Sequence, residues 1–423
     1  MHHFHFRNHE LHCEEVLIRD IVRQVGTPLY VYSEATLTRH FQAFDSGFAD
    51  VPHLTCFAVK ACSNIAVLNL FAGMGGGTDI VSGGELFRAL TAGIPANRII
   101  YSGVGKTAAE LREALRAGIL MINIESPQEL DRVQQVAAEL GVVAPVAFRV
   151  NPDVDPKTHA YISTGLAKNK FGIPVTEAFA DYLRARSMPN ISIQGVSCHI
   201  GSQLTQIAPF LEALRKLKDF MARLASEGIT LRYLDLGGGV GITYADEQPP
   251  HPHEYAKAIM AELGDTGCTL ILEPGRVIVG NAAILVTEVQ YTKVNTGGEK
   301  PKRFVVADAA MNDLTRPSLY GAYHEIVPVS ATNAAPQMVD IVGPICETGD
   351  FMARDRMLPP VRQGDLLAIM SCGAYGFSMS SNYTSRPRAA EVLVRGDRFQ
   401  VIRGRESYAD LIRGEVIPEG VQP

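Results

Sequence analysis

The chain has 423 residues, 46% of them hydrophobic and 20% charged, which is enough for a large core in two domains or in one barrel with an appendage. Its composition is that of an ordinary enzyme rather than a fibrous, disulfide-dense or disordered chain. A formal net charge of -6 argues against nucleic acid and anionic membranes as main partners, and no apolar run reaches the roughly 18 residues that a membrane span requires.

The chain opens Met1-His-His-Phe-His-Phe-Arg-Asn-His-Glu, with five histidines by position 12 and no apolar stretch of the kind a secretory leader needs. This predicts a loosely ordered polar terminus. The cysteines at 13, 56, 62, 198, 268, 346 and 372 form no CxxC pair and no metal-ligand spacing. They read as reduced thiols in a cytoplasmic protein, with no metal centre.

From about residue 50 to 275, short apolar runs alternate with amphipathic helical patterns. Strands are predicted near 54–60, 78–81, 98–101, 120–124, 145–150, 192–199, 231–236 and 268–273. Helices such as Ser126–Leu140 and Pro209–Ser226 lie between them, the first opened by Ser126-Pro127 with Glu129 in its first turn. Eight strands alternating with helices predict an α/β fold, a (β/α)8 TIM-type barrel over residues 34–282. Beyond 283 the helical spacing stops. Ile284–Tyr291, Arg303–Ala307, Met338–Val342, Leu366–Met370, Glu391–Val394 and Phe399–Ile402 read as strands separated by Gly, Pro and Asp. The C-terminal part is therefore expected to be all-β over 283–423, joined by residues 1–33, where Thr27–Ser33 supplies an N-terminal strand.

In such barrels chemistry collects at the carboxyl ends of the strands. Those positions carry Lys60, Asp79, Ser102, Glu125, Arg149, His199, the Asp235–Gly241 loop and Glu273. Each alone admits a structural reading, but so many polar groups on one rim are costly without a shared polar ligand. Burial disfavours a lysine's ammonium and makes its amine a nucleophile toward carbonyls. A carboxylate such as Glu273 facing a pyridine nitrogen keeps that nitrogen protonated. Glycines after the seventh strand let backbone N–H groups approach a phosphate. His199 can stack on a flat ring, and Ser202 can donate a hydrogen bond to it or to a phosphate. Together these features point to pyridoxal 5'-phosphate held as a Schiff base on Lys60. In the β part, Arg316–Tyr320, Gly343–Asp350 and Gly373–Gly376 are rich in reactive residues for loops, and Cys346 beside Glu347 reads as exposed and positioned.

The chain resembles the diaminopimelate decarboxylase family, pyridoxal-phosphate enzymes with an alanine-racemase-like barrel and a second β domain. The likeness runs through Gly26-Thr-Pro-Leu-Tyr-Val-Tyr, Phe57-Ala-Val-Lys60, Arg149-Val-Asn-Pro-Asp and Thr164-Gly with Lys170-Phe-Gly172. It continues through His199-Ile-Gly-Ser, Asp235-Leu-Gly-Gly-Gly, Glu273-Pro-Gly-Arg and Arg316-Pro-Ser-Leu-Tyr-Gly-Ala-Tyr-His. It closes with Gly343-Pro-Ile-Cys-Glu and Gly373-Ala-Tyr-Gly. One departure is Thr348, where the family more often has serine; the hydroxyl is kept. The resemblance implies that Lys60 carries the cofactor, His199 stacks on its ring and Glu273 faces its nitrogen. Ser202, Gly238, Gly239, Gly275, Arg276 and Tyr375 are then expected around the phosphate or its approach. It further implies head-to-tail homodimers with shared sites, in which the Cys346–Glu347 loop serves the partner and Cys346 returns a proton to the substrate.

Decarboxylases of ornithine, arginine or carboxynorspermidine share such a cofactor site, so specificity must come from the substrate's far end. Arg276, Arg316 and Tyr320 suit a distal carboxylate, Glu347 suits a distal ammonium, and Tyr375 is expected to touch the substrate as well. Meso-2,6-diaminopimelate has both groups there, and its decarboxylation gives L-lysine. Of the other readings, a racemase usually places an arginine at the ring nitrogen, which Glu273 contradicts. Retention of Lys60 and Cys346 argues against a non-catalytic homologue.

Overall fold

A computed structural model describes residues 2–155, 170–298 and 300–419. The chain divides into two compact units, Thr38–Gly280 and Met1–Leu37 with Asn281–Pro423.

In the first unit eight parallel strands close on themselves: β1 (His53–Ala58), β2 (Gly77–Ile80), β3 (Ile99–Tyr101), β4 (Met121–Ile124), β5 (Ala144–Asn151), β6 (Ile191–Ser197), β7 (Tyr233–Asp235) and β8 (Thr269–Leu272). β8 pairs with β1 through Leu270–His53, Ile271–Leu54 and Leu272–Thr55, which completes the ring. The strands read as near-continuous apolar runs because helices cover one face and the barrel interior the other. Cys56, Ile100, Met121, Ala147 and Ile271 form one inner cluster from five of the strands. The helices start where local chemistry satisfies their orphan N–H groups. Ser126 accepts from the Glu129 amide ahead of Pro127–Leu140, and Thr107 and Glu110 form a capping box ahead of Ala108–Ala117. Gly118 and Gly141 end those helices in the left-handed conformation.

The second unit is β-rich. Strand Ala283–Asn295 pairs antiparallel with Leu29–Ser33, with Leu366–Ile369 and with Lys302–Ala307. Ala390–Arg395 runs parallel to Leu29–Ser33, so the N-terminal strand sits inside the sheet. Its core includes Leu29, Val31, Ile284, Val286, Ala368, Val392 and Val394.

Two expectations are corrected. The histidine-rich start is not loose: Phe4–Arg7 and Glu10–Cys13 form an antiparallel hairpin, and Phe4, Leu11 and Cys13 bury into the same core as Leu29. The histidines lie between these apolar anchors, so counting polar residues hid the alternation. Phe351–Leu358 is a strand that the pattern does not announce, because register breaks against Gln337–Val342 interrupt its period of two.

Candidate active site

The polar strand-end residues of the barrel do gather on its carboxyl rim. Lys60 lies not in β1 but in a single helical turn, Val59–Ala61, just beyond it. Its ammonium pairs with the Asp79 carboxylate at 2.5 Å; the lysine side chain is 35% exposed and the aspartate fully buried. An apolar strand end is therefore not what surrounds this amine. Its environment is an ion pair, and the sequence-level argument from burial alone is replaced by one from a directed partner.

Asp79 belongs to a set of buried carboxyl groups completed by Asp235 and Glu273. Asn123 donates to Asp235 Oδ2 and to Ser102 Oγ, both at 3.1 Å, and the Gly237 amide donates to Asp235 Oδ1 at 2.9 Å. Ser102 Oγ is 3.5 Å from Glu273 Oε1. Burial pushes the Asp235 carboxyl up to about 6 against the pull of these bonds. Burial, then the Asp235 and Asp79 charges, push Glu273 well above the carboxylate range, with Lys60 opposing. Removing a carboxylate from water costs several kcal/mol, so one lysine does not support three ionised neighbours. The raised Glu273 carboxyl therefore gains from a cationic N–H placed against it, which stabilises its charged form. That chemistry fits a protonated pyridine nitrogen.

The loop after β7 provides a cradle. A Cβ on Gly238 would lie 2.1 Å from the Glu273 carbonyl oxygen, and one on Gly239 would lie 2.5 Å from that of Gly201. Only bare backbone fits here, which lets the loop approach a phosphate closely. Gly238→Ala is expected to destabilise the barrel by ~1–3 kcal/mol through overpacking, read as a lowered thermal midpoint. Nearby, Arg276 donates to the Tyr244 hydroxyl at 2.7 Å and to Ser202 Oγ at 3.1 Å. Gly275 sits with the Ala58 and Ala61 methyls 3.1–3.2 Å from where its Cβ would be. Guanidinium, hydroxyl and backbone donors form a set suited to phosphate.

The Gly238 amide donates to Nδ1 of His199 at 3.1 Å. Nδ1 is therefore an acceptor, and the ring is neutral with its proton on Nε2. Burial first, then the Arg149 and Lys60 charges, hold its pKa well below the usual histidine value. A neutral imidazole can lie flat on a cationic aromatic ring without repelling it.

The remaining expected residues, Arg316, Tyr320, Cys346, Glu347 and Tyr375, belong to the β-rich unit. Arg316 opens the short helix Arg316–Tyr320, which Gly321 ends in the left-handed conformation. Arg316 is buried, and its Nη1 donates to Nε2 of His324 at 2.7 Å while Nδ1 of that ring donates to the Met370 carbonyl at 2.8 Å. Tyr375 adopts a positive φ of 57°, a conformation uncommon outside glycine and a marker of functional loops. Of the seven cysteines Cys346 is exposed and the others are buried. Its loop is pinned by Asp350, which accepts from the Met311 and Ile345 amides, each at 2.7 Å.

Among the rim residues Asn123 carried no sequence signal, whereas Glu125 was expected at its strand end. Asn123 falls on an inner strand position and looks apolar by pattern, yet it bridges Ser102 and Asp235. Glu125 accepts from the Gly103 and Gly172 amides and from Arg149. Behind it, the buried Lys106 pairs with Glu129 at 2.6 Å, and Glu129 also accepts from the Glu125 amide. Thr164-Gly165 lies outside the described residues. Among the described residues no group of three or more His, Cys, Asp or Glu has the arrangement of a metal site, and no helix is long and apolar enough to cross a membrane.

Residues 34–280 match the family described as pyridoxal-dependent decarboxylase, pyridoxal binding domain. The chain is 53% identical over 412 residues to diaminopimelate decarboxylase of Pseudomonas aeruginosa, covering 97% of this chain and 98% of that one. It is 51% identical over 413 residues to the enzyme of that name in Haemophilus influenzae, covering 97% and 98%. Among solved structures it resembles diaminopimelate decarboxylase from Helicobacter pylori complexed with L-lysine, with a TM-score of 0.89, 42% identity and coverage of 93% and 98%. It also resembles that from M. jannaschii in complex with L-lysine, with a TM-score of 0.92, 39% identity and coverage of 98% of each chain.

Proposed function

We propose, because this chain belongs to the diaminopimelate decarboxylase family of pyridoxal-dependent decarboxylases, that it releases CO2 from meso-2,6-diaminopimelate to give L-lysine, the last step of lysine biosynthesis. It is a carboxy-lyase with pyridoxal 5'-phosphate as cofactor. The observation that carries the reading is the buried Asp79–Asp235–Glu273 set with Lys60 paired to one member. It suits a ligand that offers a carbonyl to an amine and a cationic N–H to a carboxyl. Bound pyridoxal phosphate supplies an electron sink for the pair left behind by departing CO2.

The chain's own residues divide the remaining work. Lys60 anchors the cofactor, and Glu273 holds a proton at the ring nitrogen. His199, kept neutral by the Gly238 amide, lies against the ring. Ser202, Gly238, Gly239, Gly275 and Arg276 receive the phosphate, with Tyr375 at its approach. Arg276, Arg316 and Tyr320 address the substrate's distal carboxylate, Glu347 its distal ammonium, Tyr375 also contacts the substrate, and Cys346 delivers a proton to the α-carbon. We assign residues 34–282 to the cofactor-binding barrel, and 1–33 with 283–423 to the domain that supplies substrate and dimer contacts. The assembly is a head-to-tail homodimer with shared sites, which accounts for an exposed Cys346–Glu347 loop. A cytoplasmic, reducing location keeps that exposed cysteine a thiol.

Incubation with pyridoxal phosphate and meso-diaminopimelate is expected to yield equimolar CO2 and L-lysine. Ornithine, arginine and carboxynorspermidine are expected to be at least ~100-fold poorer in kcat/KM, because none of them offers a distal carboxylate to the arginines together with a distal ammonium to Glu347. Ornithine turnover equal to that of meso-diaminopimelate would defeat this choice of substrate.

A further inference from the structure

Glu347 does not stand alone in its loop. The Tyr383 hydroxyl donates to Oε2 of Glu347 at 2.9 Å, from a segment that the mechanism above leaves unused. The other oxygen, Oε1, lies over Gly349, where an added Cβ would be 3.1 Å away. One carboxylate oxygen is thus occupied by a phenol, and the other rests close over the bare backbone of Gly349. This fixes the plane of an otherwise exposed and rotatable side chain.

The delivery of Tyr383 is itself constrained. It opens the turn Tyr383–Ser385, in which Thr384 and Ser385 both take positive φ, 55° and 54°. Adjacent left-handed residues without glycine are costly and persist only when their surroundings impose them. Here Asn382 Nδ2 donates to the Arg386 carbonyl at 3.0 Å and to Glu406 Oε2 at 2.6 Å, and Arg388 Nε holds the other oxygen of Glu406 at 2.7 Å. The chain accepts strain that places one phenol beside one carboxylate. Tyr383 is 47% exposed, so core packing does not account for the arrangement. The Glu347 hydrogen bond and charge raise the pKa of the phenol, which keeps it a donor at neutral pH.

We propose that Tyr383 is a specificity-determining positioning residue: by holding Oε2 of Glu347 it presents Oε1 to the distal ammonium of the substrate. The proposal rests on the reading of Glu347 as the receiver of that ammonium. A neutral phenol leaves the carboxylate its full negative charge, whereas a lysine or arginine in its place would neutralise it. Tyr383 therefore aims the acceptor without competing electrostatically with the substrate.

The test is steady-state kinetics of the holoenzyme with meso-diaminopimelate for Tyr383→Phe, Glu347→Gln and the double variant. Tyr383→Phe is expected to raise KM roughly threefold to tenfold, the range for one ordinary net hydrogen bond. Its kcat should move less, and its cofactor absorption should be unchanged. In the Glu347→Gln background the same substitution is expected to have no further effect. An unchanged KM in Tyr383→Phe, or the same factor in both backgrounds, would overturn the role of Tyr383 while leaving Glu347 as assigned. Wild-type KM in Glu347→Gln alone would remove the reading beneath it, and the proposal with it. Asn382→Ala, which frees the turn without touching the phenol, should shift KM in the same direction as Tyr383→Phe.

Discussion

Lys60→Ala is expected to abolish borohydride-fixed pyridoxyl attachment and to lower turnover by at least ~10³-fold, since the nucleophile and the anchor are lost together. The structure adds a complication and its control. Asp79 is fully buried, and its ion pair with Lys60 is 2.5 Å long. Deleting the lysine strands a buried carboxylate, and breaking a fully buried pair in this way costs ~3–5 kcal/mol. With the lysine side chain 35% exposed, solvent can reach the site and the cost falls below that range. Lost activity in the alanine variant therefore has two possible sources. Lys60→Arg separates them, because a guanidinium keeps a cation beside Asp79 but forms no stable Schiff base. The arginine variant should hold its thermal midpoint near wild type and still lose the adduct in intact-mass measurement after reduction. An adduct of unchanged mass in either variant would assign the cofactor to a different lysine.

The same ion pair marks how far the sequence can be read. The barrel was legible because each of its strands is covered on both sides and shows as a compact apolar run between helical patterns, down to the Ser126 cap and Gly141 stop of one helix. The order of strands then put Lys60 just after the first and Glu273 just after the eighth, and β1 and β8 do pair. What periodicity could not supply was partnership across long stretches of chain. Asn123 meets Asp235 from 112 positions away, and nothing local to either announces it. Tyr383 meets Glu347 from 36 positions away, in a turn that reads as ordinary polar loop. The N-terminal hairpin failed for a different reason, since its three buried side chains are spaced among histidines that dominate the composition. Motif resemblance reached the residues proposed to meet the cofactor and substrate; the partners that orient several of them became visible only through geometry.

Cys346→Ala is expected to leave the cofactor absorption intact and to lower steady-state turnover by ~10²–10⁴-fold, the usual worth of a positioned proton donor. Three facts make this residue the candidate. It is the exposed cysteine, whereas burial pushes the Cys56, Cys198 and Cys372 thiols upward and removes them from proton traffic. Its loop is fixed by two 2.7 Å bonds to Asp350, so an exposed side chain is also a placed one. Its side chain is a thiol, a group able to donate a proton. If CO2 loss and proton return are distinct steps, single-turnover CO2 release should fall less than steady-state lysine formation. A variant with full turnover would remove Cys346 from the reaction. The shared-site homodimer is checked in the same experiment. Mixing Lys60→Arg and Cys346→Ala subunits under exchange should restore about a quarter of wild-type activity, because half of the dimers formed are mixed and each holds one intact site of two. Recovery no greater than the sum of the separate variants would place Cys346 in the site of its own chain.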